Sequence, residues 1–247
     1  MKEYADPDLD PPGVIRRAAA GAWHVPSGLW FLIRNPSLWP TALLPVLTAL
    51  GCLVAGLLLG AFAGEWLEGR VAHLRPVGGI LGLVLTLTLW VGALSAGLAL
   101  GLAVALLLAA PLLDRLSRLT ERKVRGGWAD QSDGLRWEIV QALRGSLYLL
   151  LRAPFVFLLG LVPILGPVLA LGWGAHALAL QQTDMALTRR GFEFGRRRLW
   201  HRRYRAESIG FGLAGLLLLL IPLADLLIAP VLAVGATLLV MEIEGEA

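Results

Sequence analysis

The chain reads as an all-α integral membrane protein with two full transmembrane helices, two helical hairpins that enter the bilayer only part way, and amphipathic cytoplasmic helices. Three observations predict this. Hydrophobic residues make up 57% of the 247 and charged residues only 16%, with a mean hydropathy of +0.69, where soluble domains carry about 25% charged residues. Four long charge-poor blocks fill most of the chain, and prolines interrupt the last two in a matching way. Sixteen of the 22 Lys and Arg gather in two segments, 112–152 and 181–207.

The start of the chain, through Pro12, is rich in Asp and Pro and lacks the basic, apolar and small-residue regions of a signal peptide. Residues 1–14 are expected to be a disordered acidic tail, and 15–247 a single membrane domain. The first block, Asn35 to Gly64, has no Asp, Glu, Lys or Arg; a hydrocarbon core of about 30 Å needs only about 20 helical residues. The second, Val77 to Leu113, is equally uncharged and longer than a bilayer requires. Its continuation from Asp114 keeps Leu116, Leu119 and Val124 at helical spacing, so one helix is expected to leave the membrane and run on amphipathically. The intervening loop, Glu65 to Pro76, balances Glu65 and Glu68 against Arg70 and Arg75.

The third block, Ala153 to Thr183, is broken by Pro163-Ile164-Leu165-Gly166-Pro167, and the fourth, Ser208 to Met241, by Pro222. A single crossing at the third block would place the two basic segments on opposite sides. The positive-inside rule puts both in the cytoplasm and the balanced loop outside, which requires hairpins. The arms run to 10, 13, 13 and 16 residues; at 1.5 Å per residue the shortest reaches about 15 Å, half the core. Re-entrant backbone must be buried against protein or line a wet cavity, so the hairpins are expected to pack on each other or on a second copy, giving a homo-oligomer.

Candidate chemistry is sparse. Asn35-Pro36 reads as an N-cap followed by a first helical residue. With Arg34 before it and the Ser37 hydroxyl after it, this helix start is either an anion site, where free N–H groups and the helix dipole meet a negative charge, or a plain start at the membrane surface. Asp225 is the acidic residue inside an apolar block; it is either functional or a cap for the returning arm. His176, within the third block, is either a proton relay or hydrogen-bonded inside the bundle. The cluster from Arg196 to Arg205, with Trp200 and Tyr204 among its arginines, fits anionic lipid headgroups better than nucleic acid in such a chain, with an anion-attracting vestibule as a secondary role. Gly97, Gly101, Gly210 and Gly215 offer close helix approach. Cys52 is the single cysteine, and His24, His73 and His201 have no ligand spacing, so no metal or cofactor is expected. There is no phosphate-cradling glycine loop, nucleophile elbow or paired-carboxylate motif, which argues against an enzyme.

Several segments in order resemble the CysZ-type sulfate permease family and its eukaryotic etoposide-induced relatives: Asn35 to Pro40 leading into Leu44-Pro45-Val46, Leu108 to Leu116, Val162 to Pro167, Asp184, and Ile221 to Pro230 ending in Val234 to Thr237. The resemblance covers roughly Gly28 to Val240. It implies two full transmembrane helices with two partly inserted hairpins, homo-oligomers in the cell's inner membrane, and uptake of a small inorganic anion, sulfate, by a permease or channel. The family's sulfate permeases carry a Gly-Leu-Arg element where this chain has Ser37-Leu38-Trp39. The alternative expectation is a non-transporting membrane scaffold or lipid-interacting protein of the same fold.

Overall fold

The computed structural model describes residues 13–71, 79–127, 135–160, 162–163, 165–220 and 225–245, and the regular elements among them are all helical. In chain order these are α1 Val14–Arg34, a 3₁₀ turn Pro36–Leu38, α2 Trp39–Val71, α3 Ile80–Arg125, α4 Leu135–Gly160, α5 Leu165–Arg189, α6 Phe194–Arg203, α7 Arg205–Leu219 and α8 Asp225–Ile243. The acidic tail expected over 1–14 lies outside the described residues up to residue 12; Gly13 precedes α1. Pro222 and the Asp225 side chain lie outside them as well, although Asp225 is the first residue of α8.

Both proline-interrupted blocks divide into helix pairs. Pro163 sits in the turn after α4, and Pro167 falls in the first turn of α5, where a missing N–H removes no helical hydrogen bond. The turn is closed by the Gly166 N–H donating to the Val162 carbonyl at 2.8 Å. The helices outrun their apolar stretches: α4 begins at Leu135 and α5 ends at Arg189.

The chain forms two compact units, one of residues 40–113 and one of 1–39 with 114–247. In the first, α2 and α3 approach closely through glycine. A methyl group added at Gly97 would lie 2.3 Å from the Gly56 carbonyl oxygen, which only glycine avoids. The Trp90 indole N–H donates to the Glu68 carboxylate at 2.9 Å. Both helices are long and apolar enough to cross a membrane, and only 11% of the most apolar window of α2 and 22% of that of α3 is buried. Leu58, Phe62, Leu106 and Leu107 are among the large side chains left exposed. Burying such surface stabilises a water-soluble chain, so its exposure here matches a helix that faces hydrocarbon.

In the second unit α1 packs on α7 and α8, and α5 packs on α4, α7 and α8. The helices of the two proline-interrupted blocks therefore meet one another, and α1, for which the sequence carried no expectation, lies against both α7 and α8. Its buried stripe, Gly21, His24, Val25, Gly28 and Leu32, recurs at helical spacing. A methyl at Gly210 would lie 1.9 Å from the Ala18 carbonyl oxygen, and one at Gly28 would lie 2.5 Å from that of Val231. Val25, Phe211, Leu232 and Leu239 form the core between these helices.

Candidate functional site

Asn35 holds the N-cap position with Pro36 opening the turn that follows, as the sequence predicts, but its side-chain hydrogen bond differs from that of a cap. Asn35 has φ −121° and ψ 74° and makes no side-chain cap on the turn that follows. Its Nδ2 donates instead to the Phe31 carbonyl at 2.8 Å, satisfying one of the carbonyls that the last turn of α1 leaves open. The Arg34 guanidinium lies 4.6 Å from the centre of the Trp30 ring, and Ser37 is exposed. The Trp39 indole N–H donates to the Leu32 carbonyl at 2.9 Å. The Asn35 side chain thus turns back onto α1 and the Arg34 guanidinium stacks on Trp30, while Arg34 and Ser37 are both exposed.

A buried ionic cluster went unnoticed in the sequence. The continuation of α3 presents Asp114, Ser117 and Glu121 along one face, at spacings of three and four. Arg189, at the end of α5, donates to all three: to Asp114, to the Ser117 hydroxyl at 2.7 Å and to Glu121 at 2.8 Å. Arg190 reaches Glu121 at 3.0 Å. Ser117 also meets Thr237 of α8 at 2.7 Å. The inward face of this segment is therefore part polar: Leu116 is buried as expected, but Val124 is exposed and Glu121 is fully covered, because the arginines of α5 supply its partners. Nearby, Arg197 of α6 pairs with Asp184, donates to Thr188 Oγ1 at 3.0 Å and to the Gln141 carbonyl at 3.2 Å. Burial lowers the Arg197 guanidinium pKa to about 10, still charged at neutral pH.

His201 sits beside this cluster, 2% exposed. The Thr183 hydroxyl donates to the Ala179 carbonyl at 2.8 Å, so Thr183 Oγ1 accepts from His201 Nε2 at 3.0 Å, and His201 Nδ1 accepts from the Ser208 hydroxyl at 3.0 Å. This arrangement uses the neutral ring. Desolvation first, then His176 and Arg197, lowers the His201 pKa to about 3.

Beyond His201 opens a cleft of about 770 Å³ between α4, α5, α6 and α7. Arg152, Arg202, Arg205 and His176 line it together with the apolar Phe155, Val168, Leu169 and Ile209. A smaller adjoining recess adds Arg198 and Tyr148. The Tyr148 ring takes the Arg152 guanidinium at 3.9 Å from its centre and that of Arg198 at 4.9 Å. His176 meets the rings of Trp173 at 5.7 Å and His201 at 5.8 Å. The sequence had marked His176 and the 196–205 cluster separately; the fold brings them together with Arg152. Among the described residues no group of His, Cys, Asp and Glu could hold a metal ion.

Residues 25–230 match the model of the family described as sulfate transporter CysZ/Etoposide-induced protein 2.4. A sulfate transporter CysZ of Pseudomonas fluorescens Pf-5 is 31% identical over 142 residues, 53% of this chain and 57% of that relative, so this match spans little more than half the relative's length. The protein of the same name from Pseudomonas paraeruginosa PA7 is 28% identical over 93% of this chain and 97% of its own length. That of Vibrio parahaemolyticus is 27% identical over 83% of this chain and 88% of its own length. With most of its length matched by that model and its described elements all helical, this chain belongs to the sulfate transporter CysZ/Etoposide-induced protein 2.4 family.

Proposed function

We propose that the chain is a permease that admits a small inorganic anion, sulfate, through the inner membrane to the cytoplasm by a channel-like route. Membership of a family whose relatives are named sulfate transporters carries this reading. The apolar, uncovered surfaces of α2 and α3 support two full crossings. The basic segments flanking α4–α5 and α6 support a cytoplasmic position for both, with α4–α5 and α7–α8 as partly inserted hairpins. Arg34, Asn35 and Ser37, at the entrance to α2, are the proposed first contacts for the anion, Ser37 through its exposed hydroxyl. Turn backbone within the apolar layer favours a homo-oligomer that covers it.

Uptake of radiolabelled sulfate into proteoliposomes, with sulfite and chloride as competitors, tests the proposal. The expected result is sulfate flux well above empty vesicles, reduced by sulfite. Flux equal to that of empty vesicles overturns it and favours a scaffold or lipid-interacting protein.

A further inference from the structure

We propose that the cleft between α4, α5, α6 and α7 is a binding site for an anionic diacyl phospholipid, its phosphate held by Arg152, Arg202 and Arg205 and its acyl chains laid along the neighbouring apolar wall. The inference rests on the hairpin orientation proposed above, which sets this cleft at the cytoplasmic edge of the bilayer.

Charge is the first reason. Arg152, Arg198, Arg202 and Arg205 form no ion pair among the described residues, and none of the described residues lining either recess is a carboxylate. The neighbouring arginines Arg189, Arg190 and Arg197 are all matched by Asp114, Glu121 or Asp184. The fold has neutralised one arginine group internally and left the other facing an open cleft. Guanidinium forks suit phosphate oxygens in bidentate geometry.

Shape is the second. A cleft of about 770 Å³ equals about 25 water volumes at about 30 Å³ each, far more than a single tetraoxyanion fills. Its remaining wall is apolar and outward-facing: Phe155 is 64% exposed, Val168 66% and Leu169 51%. These three lie in the stretches of α4 and α5 nearest the Pro163 turn, on the side the hairpin sends into the bilayer, whereas Arg202 and Arg205 lie at the α6–α7 junction on the cytoplasmic side. Basic groups at one end and hydrocarbon at the other follow the order of a phospholipid at the interface, headgroup then chains. A free inorganic anion would use only the first.

Native mass spectrometry of the full chain from detergent, offered equimolar dioleoyl phosphatidylglycerol and dioleoyl phosphatidylcholine, reads the bound lipid directly. Phosphatidylglycerol should dominate the adducts. The triple variant Arg152→Gln, Arg202→Gln, Arg205→Gln should lower its retention by about a hundredfold, at about fivefold per charge, and Arg122→Gln with Lys123→Gln, outside the cleft, should not. Equal retention of the two lipids overturns the proposal. So does binding of dihexanoyl phosphatidylglycerol or inorganic sulfate as tight as that of the dioleoyl lipid, which would assign the cleft to free anions; both comparisons use the unmutated chain and need no variant to fold. Sulfate flux without lipid selectivity overturns this site and leaves the transport reading intact, while lipid selectivity without flux does the reverse.

Discussion

Glu121 and Arg189, 68 positions apart in sequence, face each other at 2.8 Å with neither side chain more than 1% exposed. Two charges removed from water at this depth hold only while both are present, since each loses its hydration and recovers it from the other. The pair ties the outgoing end of α3 to the end of α5, and Arg190, Ser117 and Asp114 extend it.

Glu121→Ala should therefore cost about 3–5 kcal/mol of stability, because it removes the buried carboxylate that Arg189 and Arg190 share and leaves a void beside them. Arg118→Ala removes a partly exposed i,i+4 partner of Asp114 and should cost less than about 1 kcal/mol. Chemical unfolding in mild detergent compares the two; equal effects would show that burial of the Glu121 cluster contributes nothing.

Stability should fall in mild acid through His201. Its folded pKa of about 3 lies below the ordinary 6.5, so as pH falls the unfolded chain takes up the proton first. The contribution is whole above about pH 6.5 and is lost progressively toward pH 3, amounting to about 2 kcal/mol at pH 5. His201→Gln keeps polar atoms for Thr183 and Ser208 and should flatten the dependence of the unfolding midpoint between pH 7.5 and pH 5. A variant whose midpoint falls as steeply as the parent's would remove His201 as the cause.

Helix contact through glycine gives a steric prediction. Gly210→Ala drives a methyl to 1.9 Å from the Ala18 carbonyl, forcing α1 and α7 apart at about 1–3 kcal/mol or more. Gly195→Ala in α6 meets nothing within 4 Å and should be neutral or slightly stabilising. Unfolding midpoints of the two variants should separate clearly.

If the helix start binds the anion as proposed, Ser37→Ala should weaken sulfate affinity by about 0.5–1.5 kcal/mol, and Arg34→Ala by more, since a guanidinium bond to an anion is charge-assisted. Trp39→Arg should tighten sulfate binding, although it gives up the indole bond to Leu32. Isothermal titration decides; no affinity in the parent and none after Trp39→Arg would leave Asn35 a terminator of α1 and nothing more.

Topology is open to single cysteines in a Cys52→Ala background. Gly127→Cys and Glu193→Cys should both react with a membrane-impermeant maleimide from the cytoplasmic side, and Gly69→Cys from outside. Reaction of the first two from opposite sides would refute the hairpins.

Composition and order alone carried the helical class, the two long apolar helices and the break near Pro163, because each depends on residues close in sequence: run length, local charge and the missing proline N–H. Gly97, Gly101 and Gly210 were legible for the same reason, since a small residue in an apolar helix has few other uses. The role of α1 was present as a stripe from Gly21 to Leu32 and overlooked because the helix is too polar to stand out by hydropathy. What only the tertiary structure decided is which charges meet. Nothing local in Arg189 distinguishes it from Arg202, yet packing of α5 against the end of α3 gives the first three acceptors, and the junction of α6 and α7 leaves the second facing an open cleft. Asn35 takes the N-cap position that the sequence predicts, yet its side chain bonds the helix behind it, because the choice between two adjacent helix ends rests on a backbone geometry that the pair Asn35-Pro36 does not specify. Pairing across long sequence separations is a property of the folded chain, where the cost of burying each charge selects its partner.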